Sequence, residues 1–169
     1  MTEVERWARE GPPPAADSDN DPGVCVLLTI EFTVTDPLDL NGFANGDVRL
    51  SGDDSVVGLN SMVIVSATLL MDQLSTWYQG STRILEYIAP DSRELVTFRK
   101  KGRSVTLWAR GEHVGTEDGP TFLAAVLSAG EQLYESFGRR LESGDAAGSG
   151  LEQSLADFRR FVRGLPRSS

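Results

Sequence analysis

Residues 24–35 read VCVLLTIEFTVT, and every even position from Val24 through Val34 is apolar: Val24, Val26, Leu28, Ile30, Phe32 and Val34. The odd positions turn polar from Thr29 onward. A period of two with one apolar face describes a half-buried β-strand. A chain with such a strand must build a sheet with one covered face, and the rest of the sequence must supply the cover.

Two stretches offer it. Residues 52–80, GDDSVVGLNSMVIVSATLLMDQLSTWYQG, place Val56, Val63, Ala67, Leu70, Leu74 and Trp77 at helical spacing. Asp54 or Ser55 is suited to cap this helix and Gly80 to end it. Its other face is apolar too, through Met62, Val65 and Leu69. A helix apolar on both sides is buried on both. The stripe Met62/Val65/Leu69 is therefore expected to lie under a later helix or, failing that, to form an interface with a second copy of the chain. The second cover is GPTFLAAVLSAGEQLYESFGRRLE, with Pro120 in its first turn and a stripe of Leu123, Val126, Leu127, Tyr134, Phe137 and Leu141.

Between these helices lies a meander over residues 83–110: RILEYIA, a turn at PDS, ELVTFRK, a turn at KG, then RSVTLWAR. A two-residue loop at Lys101-Gly102 would set Phe98 against Val105, Val96 against Leu107, Thr97 against Thr106 and Leu95 against Trp108. A short strand at 47–51 follows the Asx- and glycine-rich turn DPLDLNGFANGD. A last amphipathic helix at 151–164 carries Leu151, Leu155, Phe158 and Val162 on one face, after a flexible linker at 143–150. Pro166 and the terminal serines, in the tail 166–169, stop it. The order β-β-α-β-β-β-α-α makes this an α+β chain, with a single antiparallel sheet of about five strands and helices packed on one face. Residues 24–165 form the domain. Residues 1–23, rich in Pro and Asp, are expected to be a disordered leader with Trp7 its one apolar anchor.

Charge narrows the functional classes. The 169 residues carry 16 basic and 25 acidic side chains, a net charge of −9. That argues against a general affinity for nucleic acid or anionic membrane and suits a soluble protein, or one whose partner is basic. The opening MTEVERWARE has no apolar signal core, and MVIVSATLLM is too short to cross a bilayer, so a cytoplasmic location is expected. The 14 arginines against 2 lysines resemble the usage of high-GC bacteria. Cys25 is the one cysteine and can form neither an internal disulfide nor a zinc site by itself.

The sequence offers few groups for chemistry. His113, the one histidine, sits in RGEHVGTEDG, read as a loop, and no nucleophile elbow accompanies it. Asp36, Asp39, Asn41, Asn45 and Asp47 offer oxygen ligands but miss the EF-hand spacing and read as turn residues. Glu131 and Glu135 read as solvent-side ion-pair partners, Glu135 with Arg139. No phosphate-binding or dinucleotide fingerprint occurs. No catalytic residue, metal or cofactor is assigned.

One segment breaks the acidic pattern. TFRKKGRSVTLWARG, residues 97–111, holds both lysines and five basic side chains, and without it the chain stands at −14. Its outward face is expected to show Trp108, Arg93, Arg99, Arg110 and Leu95, with Thr97 and Thr106. Lys100, Lys101, Gly102 and Arg103 are expected to be a solvated hairpin tip. An Arg-flanked Trp is a surface of the kind found at binding hot spots. It suits an acidic peptide, or a stacked base or nucleotide. Equally, it reads as a cation–π cluster that serves the fold. In size, acidity and mixed architecture the chain resembles the immunity proteins of bacterial toxin systems. No residue motif carries that resemblance, and no site residue follows from it. The expected function is non-enzymatic binding of another protein, with a small-ligand or nucleotide-binding module as the alternative. A homodimer remains open through Met62, Val65 and Leu69.

Overall fold

Seven strands fall into two antiparallel sheets in a computed structural model that describes residues 27–53 and 55–166. The first sheet has the order β1-β2-β3, with β1 Thr29–Val34, β2 Asn45–Gly52 and β3 Ser55–Met62. Helix α1, Val63–Gln79, leads to the second sheet. This has the order β4-β5-β6-β7, with β4 Ile84–Ile88, β5 Leu95–Lys101, β6 Ser104–Ala109 and β7 Glu112–Asp118. Helices α2, Gly119–Ser136, and α3, Ala146–Gly164, close the chain, with a 3-10 turn Gly138–Arg140 between them. The α+β class holds; the single sheet of five strands does not.

Two misread segments account for the difference. Residues 55–62, assigned to the start of the first helix, form β3. Val57, Leu59 and Ser61 are buried at alternate positions, while Val56, placed on the buried helical stripe, is 64% exposed. β3 pairs with β2 so that Leu50 meets Val57 and Val48 meets Leu59. α1 therefore begins at Val63 without a side-chain cap, Ser55 stands at the start of β3 instead, and Asp54 lies outside the described residues. The second segment is the presumed His113 loop, which forms β7. Arg110 and Gly111 join β6 to it with φ of 52° and 77°. Two positive φ angles in a two-residue loop are what a type I′ hairpin needs.

The first strand holds as expected within residues 29–34, where Ile30 is buried and Phe32 and Val34 pack against the core. The apolar faces of both sheets share one core with the helices, built on residues such as Leu50, Leu59, Tyr87, Phe98, Leu107 and Phe122. The sheets meet where Gly52 and Gly115 bring their backbones together, so that a methyl on Gly52 would collide with the Val114 carbonyl. Tyr87 donates its hydroxyl to the Ser66 carbonyl at 3.0 Å, tying β4 to α1, and burial pushes its ionisation up to about 12.

α3 starts at Ala146, inside the segment read as a linker. Asp145 caps it, accepting from the Gly148 amide at 2.9 Å, and its other oxygen accepts from the Gly42 amide at 3.3 Å. The helix packs on α1 and α2 through buried Leu151, Leu155 and Phe158. Against α1, Ser154 hydrogen-bonds Asp72 and the Phe161 ring meets Tyr78 edge-on. The Met62/Val65/Leu69 stripe is not closed by it: Met62 and Val65 are half-buried and Leu69 is 39% exposed. The expected leader, residues 1–23 with Trp7, lies outside the described residues, as do Cys25 and the expected start of the first strand at 24–26.

Candidate functional site: the outer face of the second sheet

Alternation along β5 and β6 sends Val96, Phe98, Val105 and Leu107 into the core. It sends Leu95, Thr97, Arg99, Thr106 and Trp108 to the other face. The hairpin register differs from expectation by two residues. Lys101 pairs with Ser104, Phe98 with Leu107 and Thr97 with Trp108, and the loop is Gly102-Arg103. A shift of two leaves every side chain on its expected face, whereas a shift of one would have inverted the site. Gly102, at φ 60°, occupies the first central position, where a type II′ turn requires glycine.

On this face Arg93, Glu94, Leu95, Thr97, Arg99, Trp108, Arg110 and Gly111 line an open hollow of about 590 Å³. All five residues singled out from sequence are among them. The Arg99 guanidinium lies 5.7 Å from the Trp108 ring centre. His113, directly across from Trp108, meets the indole edge-on at 5.3 Å. Its Nε2 lies 3.2 Å from Thr116 Oγ1, and its Nδ1 lies 3.8 Å from Asp53. Thr106 and Thr116 share a hydroxyl hydrogen bond of 2.9 Å.

Arg110 forms a two-pronged pair with Glu94, its Nε donating at 2.9 Å and its NH2 to the second oxygen. That pair pushes the Arg110 guanidinium further up. Glu94 and His113 were missed as members of this surface. Glu94 stands at a strand entry, and β7 was hidden by an irregularity: Leu107 pairs with Gly115 but Trp108 pairs with His113, leaving Val114 as an extra residue. A bulge breaks the period of two that would have revealed the strand. Arg93 and Arg99 enter no ion pair among the described residues.

The hairpin tip is not idle, which corrects the expectation for it. Lys100 points to the core side of β5. Its Nζ donates to the carbonyls of Trp77 at 3.2 Å, Tyr78 at 2.9 Å and Gly80 at 2.8 Å. It also lies 5.5 Å from each of the Trp77 and Tyr78 rings. α1 has no basic residue in its last turn. Lys100 supplies from a neighbouring strand the cation that a helix C-terminus favours. Arg103 donates to Asp118 at 2.8 Å and to the Pro166 carbonyl at 3.0 Å. Asp118 also caps α2 through the Thr121 amide, and its carboxyl is held below the usual range chiefly by the Arg103 hydrogen bond.

The remaining candidates serve local structure. Asp36 and Asn41 accept from the amides of Leu38 and Phe43, closing Asx turns. Glu135 pairs with Arg139 at 3.0 Å, as expected, and Glu131 reaches Arg159 on α3 at 2.8 Å. Among the described residues, no three His, Cys, Asp or Glu side chains gather into a metal-binding group, and no helix is long and apolar enough to cross a membrane. Comparison with protein-family models, with curated proteins and with solved structures gave no match.

Proposed function

We propose that this chain is a non-enzymatic protein-binding module, of an immunity-like or regulatory kind, that covers an acidic segment of its partner with the Trp108 face. One observation supports the reading above others. A half-exposed tryptophan sits in a hollow with Arg93 and Arg99, neither engaged in an ion pair among the described residues, on a chain whose net charge is −9. Tryptophan and arginine are the types that most often dominate interface energetics. Arginines outside the ion pairs of the described residues, on an acidic protein, are groups available to a ligand.

The test begins with capture of the partner from the native host and its identification by mass spectrometry. The parent and Trp108→Ala are then titrated against the purified partner. The variant is expected to bind more weakly by over ~1 kcal/mol, the usual threshold for a contact that matters. Equal affinity would remove the face from the interface. The alternative, a nucleotide or other small anion stacked on Trp108, draws on the hollow itself, since about 590 Å³ is enough for such a ligand. Titration with nucleoside monophosphates, followed through the indole NMR resonances, separates it from the first reading.

A further inference from the structure

β4 is an edge strand. It pairs with β5, and no strand lies on its other side among the described residues. The Lys100 amide donates to the Arg83 carbonyl at 2.8 Å, which marks Arg83 and Lys100 as a hydrogen-bonded pair. Such pairs alternate along an antiparallel ladder. Leu85 and Tyr87 therefore spend their main-chain groups on β5, and Ile84, Glu86 and Ile88 turn their N–H and C=O groups to the open edge. The side chains of these three residues stand on the outer face, where Ile84 is 46% and Ile88 57% exposed. Edge strands are commonly shielded by shortness, by proline or charged side chains, lysine above all, by a bulge or by a covering element, and the one charge within β4 is Glu86. β4 contains neither proline nor lysine and has an unbroken register with β5. On the inner side a hollow of about 600 Å³, lined by Asp72, Gln73, Thr76, Ile84 and Leu85 among others, separates the edge from α1.

We infer that this edge accepts an extended segment of another protein as a fifth strand, with a basic side chain between two apolar ones on its outward face. Charge selects the occupant. Glu86 stands between the two exposed isoleucines and enters no ion pair among the described residues. Opposite it on β5 stands the neutral Thr97. A cation on the added strand, directly across from Glu86, completes the row, and flanking apolar residues cover Ile84 and Ile88. A second copy of the chain is a poorer occupant. The two-fold register that sets Ile84 against Ile88 also sets Glu86 against Glu86 of the other copy, and like charges directly opposed are destabilising. Strand addition of this kind draws affinity from main-chain hydrogen bonds and specificity from alternate side chains. The side chains that the added strand turns inward enter the hollow beside α1.

The probe is a blocked peptide of sequence Thr-Val-Thr-Lys-Thr-Val-Thr, with a twin carrying Glu at its centre. Each is titrated to millimolar concentration against the full chain while amide hydrogen exchange is followed by NMR. The Lys peptide is expected to slow exchange at Ile84, Glu86 and Ile88, and the Glu peptide to do so less. Glu86→Lys should reverse the preference, changing each affinity by roughly two- to fivefold, the scale of one cross-strand charge pair. Trp108→Ala should bind the Lys peptide as the parent does, which keeps this test separate from that of the Trp108 face. No added protection at the three amides, or an unchanged preference in Glu86→Lys, would overturn the inference. So would a free chain that sediments as a dimer with those amides already protected.

Discussion

Arg99 and Lys100 are neighbours on β5, carry the same charge and point to opposite faces of one sheet. Lys100 turns inward, closes the end of α1 with three hydrogen bonds to carbonyls and lies against two aromatic rings. Arg99 turns outward, rests on Trp108 and faces an open hollow. The same split appears in two nearby arginines. Arg103 is tied to Asp118 and Pro166, while Arg93 remains beside the hollow. A charge run is thus no unit of function. On β5, strand parity separates Lys100, which holds elements together, from Arg99, which is left for a ligand.

The strongest perturbation of the structural half acts on the element that receives it. Phe158 is buried under α3, and Pro166, two residues beyond the end of that helix, accepts from Arg103. Phe158→Ala should cost roughly 3 kcal/mol in urea unfolding. A stability equal to the parent's would mean that α3 does not hold the tip. Changing Lys100, Lys101 and Arg103 together to serine comes next. The loss of Lys100 alone should account for about 1–2 kcal/mol, since three carbonyls lose a charged donor. A neutral outcome would restore the tip as solvated.

The binding half is sharpened by Trp108→Ala, which should leave the unfolding midpoint near the parent's while weakening the captured partner by over ~1 kcal/mol. A large fall in stability with unchanged affinity would make the Arg99–Trp108 stack a structural cluster. The smallest effect is on the acid side. The folded-state value of Asp118 is lowered, so its ionised form adds stability that is present above its ordinary value of 3.8 and lost as the pH falls through the lowered value. Asp118→Asn keeps an oxygen to cap α2 but loses the charge. The parent's advantage over it should be greatest near neutrality and vanish in acid, as read from midpoints across a pH series.

What could be read from sequence was whatever a simple period records. β1, β5, β6 and the stripes of α2 and α3 show clean alternation or helical spacing, and the outward set around Trp108 came with them. A register error of two residues left that set intact. β3 was lost because Val56 and Val63 satisfy a helical spacing, and because the exposed Val56 and the buried Ser61 place an apolar residue outward and a polar one inward against the alternation. β7 was lost to its bulge and to an Arg-Gly turn. With those two strands missing, two sheets looked like one. The role of Lys100 depends on where α1 ends in space, across 20 residues of chain from Gly80, and no local pattern carries that.

The comparison rests most directly on urea unfolding of Arg99→Met beside Lys100→Met, two identical replacements at adjacent positions of one strand. Each keeps most of the aliphatic stem and removes one positive charge. Lys100→Met should lose about 1–2 kcal/mol, because buried-side carbonyls at the end of α1 lose a charged donor. Arg99→Met should stay within about 0.5 kcal/mol of the parent, as surface changes outside structural networks do. Equal losses, or a larger loss for Arg99→Met, would contradict the division of the basic segment into a structural side and a binding side.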